Sequence, residues 1–555
     1  MLLFNFTQCH FKIIVNPVLF QNQLKNSVCL FLQDTLKLIL FFLAVAKYCE
    51  SANILYVVPF TSKSHYIMLK PIGLELARRG HNVTVITGNR DHNPPPNYHQ
   101  YMVDEREIWD IVGDGRPNVF DMVNVSPETF HKEFLLKGGI AFTELVLNST
   151  DIKTLLAEDT KFDLVISEQF YQEALNVLAH KYNAPLVLVT TFGNCMRHNV
   201  VTRNPLQLAT VISEFIPIRE LSSFWGRLRN MYFTVYEYIH WKYWYLVEQE
   251  KLVRKYLPDL PKPVPSLYDL QQNAALFLMN GHFSFDPPAA YLPNIVEIGG
   301  VHLSKSDTTL PKDLQKILDD AINGAVYMNF GSNVRSSELP EEKRNAILNS
   351  FRKLNQTVLW KWEDDNLENK PDNLIVRKWL PQKEILSHPN IKVFIAHGGL
   401  IGTQEATFHG VPMIGVPIYG DQYNNLLQVE SLGFGKILEY HDINEERLSK
   451  TLHEVLTNDS YRKKAKEMSI RFKDRPMTAL DTAMFWIEYI IRNNGAEFMK
   501  NPALELSWVA SNMIDVYAFI FILVFVYVYA IVKVTMFLLS LLKTKQTKKP
   551  KKKRA

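Results

Sequence analysis

Short apolar runs alternate with helix-like stretches along most of the chain. The run NILYVVPF (53–60) precedes a polar loop, a stretch closed by Gly80, and a second run, HNVTVIT (81–87). DLVISE, another helical stretch and PLVLVT repeat this order over residues 163–190. Such runs are typical of buried parallel strands joined by helical crossovers. The pattern therefore predicts a parallel sheet with helices on both of its faces.

The same rhythm restarts in the second half of the chain. A proline-rich stretch, 262–300, is predicted to link the two halves. The later apolar runs are AVYMNF, VLWKW, LIVRKW, KVFIA and MIGVP. A chain of 555 residues is long enough for two sizeable domains. We place the first at residues 52–275 and the second at 276–500.

A long apolar stretch precedes a basic tail at the C-terminal end. Residues 514–542 are predicted as a transmembrane segment, because the stretch from Val516 carries no charge until Lys533. The alternative is a buried core helix. The tail, 543–555, is rich in lysine, and the positive-inside rule assigns it to the cytosol. Its last residues resemble a dilysine retrieval signal, which indicates the endoplasmic-reticulum membrane.

The first part of the chain resembles a secretory leader. The apolar core LILFFLAVA (38–46) predicts a signal peptide, and residues 1–51 are interpreted as leader and signal. The body would then lie in the lumen. Of four cysteines only Cys195 follows this segment, so no intrachain disulfide is expected. Asn124 and Asn148 begin glycosylation sequons, and Asn82 begins a third inside a predicted strand.

Charge and aromatic content narrow the class of partner. Lys+Arg 61 against Asp+Glu 57 argues against nucleic-acid binding. Ten aromatic residues lie in 222–250 at a spacing that predicts an amphipathic helix. They are interpreted either as core packing or as a functional surface, meaning the wall of a lipophilic pocket or a membrane contact.

The stretch 379–422 carries the clearest candidate chemistry. The run VFIA ends in His397-Gly398-Gly399 and is followed by a helical stretch, an order that brings backbone N–H groups to a diphosphate. Trp379 precedes it and can stack on a flat base. Asp421-Gln422 follow it and can bind sugar hydroxyls.

This stretch resembles the signature of the UDP-glycosyltransferases, the family that includes the UDP-glucuronosyltransferases. YMNFGS near Asn329, LPNIVEIGGVH near Gly299 and the C-terminal anchor add to the resemblance. It implies a GT-B-like fold, in which two Rossmann-type parallel-sheet domains face a cleft. The domain 52–275 would then bind the acceptor and the domain 276–500 the UDP-sugar.

His65 is the candidate catalytic base. It follows a strand and opens a helix, where the helix dipole disfavours imidazolium and keeps the ring able to accept a proton. Glu168 ends the strand DLVIS and can fix the imidazole tautomer. In the resembled family His65 matches the catalytic histidine, and Glu168 falls where many members carry Asp.

The remaining site residues are assigned to the donor. Fixed dipoles and hydrogen-bond donors are expected to hold the diphosphate, since no metal or cofactor is expected and the UDP-sugar is a co-substrate. Ile401 stands where many family members have Asn, so a side-chain donor is lost there. The UDP-binding set is Ser332, Trp379, Gln382, His397, Gly398, Gly399 and Glu405, and the sugar-binding pair is Asp421 and Gln422.

The expected reaction is inverting transfer of a hexosyl group to a hydroxyl of a small lipophilic acceptor. Glucose and glucuronate are both open as the sugar, although LIGTQEA resembles invertebrate members, which the family associates with glucose. A UDP-sugar-binding carrier without transfer activity is the alternative, and an epimerase or hydrolase on the same fold is a third. Homo-oligomerisation is also left open.

Overall fold

Two parallel sheets form the body of the computed structural model, which describes residues 51–103, 118–303 and 309–546. The predicted leader (1–51) and the end of the basic tail therefore lie almost entirely outside the described residues. The strands of the first sheet are β1 (Asn53–Val58), β2 (Asn82–Thr87), β3 (Tyr98–Met102), β4 (Leu164–Glu168), β5 (Leu186–Thr190), β6 (Leu276–Met279) and β7 (Ile295–Glu297). Those of the second are β8 (Ala325–Asn329), β9 (Thr357–Lys361), β10 (Leu374–Arg377), β11 (Ile391–Ala396), β12 (Met413–Gly415) and β13 (Gly435–Ile437).

The strand order in both sheets places the first strand of each half near the centre. The orders are β3-β2-β1-β4-β5-β6-β7 and β10-β9-β8-β11-β12-β13, and every pairing is parallel. Tyr56 of β1 pairs with Val85 on one side and Ile166 on the other. The central strands are buried on both faces, as continuous apolar runs require. The predicted pair of Rossmann-type sheets is confirmed.

Helices cover both sheets. In the first half they are α1 (Lys63–Arg78), α2 (Lys137–Asn148), α3 (Thr150–Ala157), α4 (Val177–Tyr182), α5 (Met196–Val201), α6 (Phe224–His240), α7 (Leu246–Tyr256) and α8 (Leu267–Gln272). In the second they are α9 (Lys312–Asp319), α10 (Glu341–Arg352), α11 (Gln382–Ser387), α12 (Leu400–His409), α13 (Gln422–Ser431), α14 (Glu445–Thr457), α15 (Asp459–Lys473), α16 (Ala479–Arg492), α17 (Trp508–Ser511) and α18 (Ile514–Gln546). A π-helix, Phe130–Leu136, leads into α2, and a second, Trp241–Tyr245, joins α6 to α7.

The sheet pairing differs from the predicted division at residue 276. β6 and β7 lie within the predicted linker, yet β6 pairs with β5 and β7 with β6. The first sheet therefore extends to Glu297. The stretch was predicted as a linker because it is rich in proline and its two apolar runs are very short.

The end of the chain also returns to the first domain. Helix α16 contacts α1 and β6. Arg79 at the end of α1 forms ion pairs with Asp481 at 3.0 Å and Glu488 at 3.2 Å. Residues 479–492 therefore pack on the first domain, although the predicted second domain ran to residue 500.

Apolar contacts join the two domains. Phe120, fully buried, stacks on Tyr440 of the second domain with 5.4 Å between ring centroids and meets Phe330 edge-on at 5.9 Å. Gln404 Nε2 donates to the Asn280 carbonyl oxygen at 2.9 Å across the same boundary. These contacts fix the two sheets about one shared cleft.

One helix in the described part of the chain has the length and composition of a membrane span. Ile514–Lys543 has a mean hydropathy of 2.4 and is not buried against the protein. Its apolar side chains are all largely exposed, so the alternative of a buried core helix is wrong. The helix fits a single-pass membrane anchor.

Candidate active site

A cavity of about 600 Å³ opens where the carboxyl ends of the strands of both sheets meet. Open α/β sheets bind ligands at this edge. Gly398 is enclosed behind the cavity wall. Glu168 lies directly behind the wall. The other predicted site residues line the cavity: His65, Ser332, Trp379, Gln382, His397, Gly399, Glu405, Asp421 and Gln422.

His65 is the third residue of α1, and Glu168 is the last residue of β4. Because β1 and β4 are neighbours, the loop after β1 brings the imidazole over the end of β4. Nδ1 of His65 lies 2.5 Å from Oε1 of Glu168, a carboxylate that is almost fully buried. An Nδ1–H that donates to Glu168 leaves Nε2 as the nitrogen that can accept a proton.

Aromatic rings surround this imidazole. The ring centroids of Phe170, Phe60 and Phe192 lie 4.6, 4.8 and 5.9 Å from that of His65. Further apolar side chains from the π-helix before α2 line the same side of the cavity. This half of the cavity offers flat apolar surface around one basic nitrogen.

Hydrogen-bond donors gather on the opposite wall, at the start of α12. Gly398 has a φ of +89°, and a side chain there would meet Leu426 at 2.5 Å. This backbone lets α12 begin against β11 with its N–H groups towards the cavity. Ser332 Oγ and His397 Nδ1 are buried without a protein partner among the described residues. Burial and the cation of Lys361 lower the pKa of His397 to about 4, so its ring is neutral near pH 7.

A chain of hydrogen bonds positions Glu405, one of the predicted UDP-binding residues. Gln382 Nε2 donates to Glu405 Oε2 at 2.5 Å, and Gln382 Oε1 accepts from Asn329 Nδ2 at 2.7 Å. The Gln382 amide is thus engaged on both sides and orients Glu405. Burial raises the pKa of Glu405 to about 7. Trp379 stands at the rim with 56% of its surface exposed, and Lys63 Nζ lies 5.6 Å from its ring centroid.

Asp421 and Gln422 begin α13 beside His65. Gln422 Oε1 accepts from the backbone N–H groups of Ile418 and Tyr419 at 2.9 and 3.1 Å, which holds the loop before the helix. Gln422 itself lines the cavity. Asp421 Oδ2 accepts from Asn425 Nδ2 at 2.8 Å, and burial raises the pKa of Asp421 to about 6.

Three residues of the site were not predicted from the sequence. Thr191 Oγ1 lies 3.2 Å from His65 Nδ1. Asn329 accepts from the Gly331 N–H at 2.8 Å and donates to Gln382. Lys361 Nζ donates to the Gly331 carbonyl oxygen at 2.9 Å. Each polar side chain stands at or just after the end of a buried strand, and that position was the available signal.

A group of potential metal ligands lies behind the site. Ligand atoms of Cys195, His198 and Glu214 are within 4.8 Å of one another. Glu214 Oε1 already binds Arg197 Nη2 at 2.7 Å, and both imidazole nitrogens of His198 have protein partners. These hydrogen bonds account for the grouping as a buried polar network.

Comparison with known proteins agrees with this geometry. The family model described as "UDP-glucoronosyl and UDP-glucosyl transferase" matches residues 132–549. The chain is 34% identical over 481 residues to UDP-glycosyltransferase UGT5 of Dactylopius coccus, covering 85% of this chain and 89% of that protein. It is 28% identical over 516 residues to UDP-glucuronosyltransferase 2B15 of Homo sapiens, covering 88% and 94% of the two chains.

Solved structures show the same architecture. The glycotransferase of kitacinnamycin superimposes with a TM-score of 0.53 at 17% identity, covering 79% of this chain and 99% of that one. UGT2 of Phytolacca americana, solved with UDP-2fluoro-glucose and pterostilbene, has a TM-score of 0.52 at 16% identity, with 79% and 99% coverage. The fold and cleft define a GT-B glycosyltransferase.

The chain belongs to the UDP-glucuronosyl and UDP-glucosyl transferase family. It is accordingly an enzyme that transfers sugar from a UDP-sugar donor.

Proposed function

We propose that this enzyme transfers glucose, with inversion at the anomeric carbon, from UDP-glucose to a hydroxyl of a flat lipophilic acceptor. The observation that carries the proposal is the His65–Glu168 pair at 2.5 Å, facing the donor groups across one cleft. His65 Nε2 takes the hydroxyl proton as the acceptor oxygen attacks. Glu168 holds the tautomer and stabilises the imidazolium that forms.

Inversion follows from the separation of base and leaving group. His65 acts from the first domain, whereas His397, Ser332 and the N-terminus of α12 receive the departing diphosphate on the second. The acceptor oxygen thus attacks from the face opposite UDP. Positive backbone and side-chain dipoles stabilise the charge that builds up on the leaving group.

The acceptor class follows from the aromatic surface around His65. Rings at 4.6–5.9 Å favour a flat molecule held by stacking and edge contacts. A phenol satisfies both requirements, since its ring fits this surface and its hydroxyl reaches the base. Conjugation of small lipophilic compounds, as in detoxification, is the corresponding biological role.

Electrostatics favour a neutral sugar over glucuronate. A C6 carboxylate needs an uncommitted cation, but each lysine that lines the described cavity already has an acceptor. Lys70 pairs with Asp91, Lys361 with Glu363, and Lys383 donates to the His302 carbonyl oxygen. Asp421 beside the sugar position adds a negative charge when ionised. An anionic sugar would therefore be repelled there.

The experiment uses membranes that contain the full-length protein. UDP-glucose and UDP-glucuronate are supplied separately with a panel of phenols, products are identified by mass, and the anomeric configuration is read by NMR. The proposal expects β-glucosides from α-linked UDP-glucose and little or no glucuronide. A predominant glucuronide would refute the donor assignment, and an α-glucoside would refute inversion.

Three control measurements separate other activities. UDP released without any phenol would indicate a hydrolase, and a changed donor sugar would indicate an epimerase. Binding of UDP-glucose with no product from any acceptor would indicate a carrier. His65→Ala membranes give the background for every arm.

We also propose that the anchor places both catalytic domains in the lumen of the endoplasmic reticulum. Asn124 and Asn148 are exposed, whereas Asn82 is half-buried at the start of β2. Lumenal exposure predicts an endoglycosidase-sensitive mass shift that becomes smaller by one glycan in Asn124→Gln and in Asn148→Gln. An unshifted chain with both asparagines intact would argue against this orientation.

A further inference from the structure

Helix α6 has its polarity reversed relative to an ordinary surface helix. Its buried residues include Asn230, Thr234 and Glu237. A helix on a soluble domain normally turns its apolar stripe inward and its polar side chains outward. The outward side of α6 and the following turns instead carries large apolar residues: Phe224, Trp225, Leu228, Met231, Tyr232, Val235, Ile239, Tyr243 and Val247. We call this set the outer stripe.

The outer stripe recurs every three or four residues, so it occupies one side of the nearly continuous helical segment from Phe224 to Tyr256. Trp225 alone is 74% exposed. The exposed charged side chains on α6 are the arginines Arg227 and Arg229. Aromatic and aliphatic residues flanked by arginines are the composition of helices that lie in a membrane interface.

The position of α6 links it to the membrane anchor. Arg203 follows α5, and α5 contacts α6. Asn501 Nδ2 donates to the Arg203 carbonyl oxygen at 2.7 Å, and the Arg203 guanidinium donates to the Ala503 carbonyl oxygen. The chain that leads into α18 is therefore pinned beside α6.

The connection from this point to the anchor is short and itself apolar on its surface. Helix α18 begins at Ile514, eleven residues after Ala503, so the connection spans at most about 40 Å even if fully extended. Leu506, Trp508, Val509 and Met513 within it are exposed. The outer stripe thus continues towards the place where the chain enters the bilayer.

From these observations we infer that the outer stripe of α6 lies in the lipid interface of the membrane that α18 crosses. Phe224, Trp225 and Tyr232 enter the headgroup region, and Arg227 and Arg229 meet lipid phosphates. The catalytic body is then held by two contacts, the spanning helix and this interfacial helix.

The inner side of α6 packs against residues next to those that line the active-site cavity. Phe233 and Tyr236 pack around His131 of the π-helix, with ring centroids 6.2 and 6.1 Å away. Neighbouring residues of that π-helix, Phe130, Phe134 and Leu135, line the active-site cavity. The apolar half of the cavity is therefore one helix away from the proposed lipid surface.

The test compares two exposed isoleucines in the full-length protein. Ile239 belongs to the outer stripe, and Ile322, 96% exposed, lies just after α9 on the second domain. Ile239→Cys and Ile322→Cys are each labelled with a small fluorophore and reconstituted in nanodiscs of phosphatidylcholine and phosphatidylserine. Acyl-chain nitroxide lipids then quench any probe that reaches the interface. The unsubstituted chain measures labelling of the four native cysteines.

The inference expects several-fold stronger quenching at Ile239 than at Ile322. Equal, weak quenching at both positions would overturn it, because the outer stripe would then face water. Weak lipid quenching at Ile239 with energy transfer between differently labelled copies would also overturn it, and would assign the stripe to a second copy of the chain. Tyr243→Cys provides a second stripe position, and conversion of UDP-sugar by each labelled protein verifies folding.

Discussion

At the residue scale, the His65–Glu168 pair yields the sharpest prediction. His65→Ala should reduce transfer by about 10²–10⁴-fold, the usual contribution of a positioned general base. The dissociation constant of UDP should stay near that of the unchanged protein, because the residues assigned to UDP line the cavity from the second domain. Turnover assays and calorimetry with UDP measure the two effects. Retention of most turnover would remove His65 from the mechanism.

Glu168 requires a separate variant, because many family members carry Asp at its position. Nδ1 of His65 lies 2.5 Å from Oε1 of Glu168, and the side chain of aspartate is shorter by one methylene. Glu168→Asp should therefore lower kcat by lengthening the contact to Nδ1, and Glu168→Gln should lower it by removing the charge that stabilises imidazolium. UDP affinity should be unchanged in both. If Glu168→Asp has the same kcat as the unchanged protein, catalysis does not require the 2.5 Å distance between Nδ1 of His65 and the carboxylate.

Trp379 tests the nucleotide side of the cleft. An exposed indole at the rim provides a stacking face for uracil, and its loss should weaken UDP binding by about 1–3 kcal/mol. Trp225→Ala is the matched control, since that indole is also exposed but lies on α6. Calorimetry should therefore find a change only for Trp379→Ala. Equal UDP affinities of the two variants would mean that uracil does not stack on Trp379.

At the element scale, the start of α12 depends on Gly398. A methyl group there would clash with Leu426. An alanine would also have to keep the left-handed backbone conformation of Gly398, which costs about 1–2 kcal/mol by itself. Gly398→Ala should lower both the unfolding temperature and UDP affinity, because the helix N-terminus must shift. Gly80→Ala shares the positive φ but has open space around it, and should show the backbone cost alone. Similar losses in the two variants would mean that the contact with Leu426 relaxes freely.

Long strands and helices could be predicted from the sequence, because their apolar runs are longer than those found in loops. The strands around His65 and His397 were predicted in this way, and with them the edge at which the site forms. β6 and β7 were missed because four and three residues, flanked by prolines, carry little periodicity. For α6 the spacing indicated an amphipathic helix, but spacing alone gives no information about which side is buried.

The same limit applies to hydrogen-bond partners within the site. Gln382 could be identified as a site residue from its place after Trp379. That its amide is shared between Glu405 and Asn329 depends on β8 and α11 meeting in three dimensions. The partners of Thr191 and Lys361 were likewise unpredictable, since they lie far apart from them in sequence.

At the scale of the whole molecule, the free energy of unfolding should depend on pH, because the folded first domain buries a carboxyl group. Glu237 of α6 is buried, its Oε2 accepts from Ser213 Oγ at 2.9 Å, and His131 Nε2 lies 3.6 Å from its Oε1. Burial, with the nearby charge of Glu214, raises the pKa of Glu237 to about 7. An unfolded glutamate releases its proton near pH 4.3.

The sign follows from proton binding. Between about pH 4.3 and 7 the folded chain holds a proton at Glu237 that the unfolded chain has lost, so rising pH lowers the free energy of unfolding. The total change is at most about 4 kcal/mol, at about 1.4 kcal/mol for each unit of pKa. Glu237→Gln cannot ionise and should lack this decline. Thermal unfolding of both proteins in the same detergent, from about pH 5 to 8, measures the difference.

Buried histidines act in the opposite direction. Burial lowers the pKa of His198 to about 3, so the folded state resists its protonation and loses stability as pH falls below about 6.5. His198 is present in both proteins, and its contribution cancels when the two unfolding curves are subtracted. The difference should therefore be small near pH 5 and grow towards pH 8, with Glu237→Gln relatively more stable at the higher pH. A difference that is constant across this range would mean that Glu237 is already ionised in the folded protein, and that the polar inner side of α6 holds a charge.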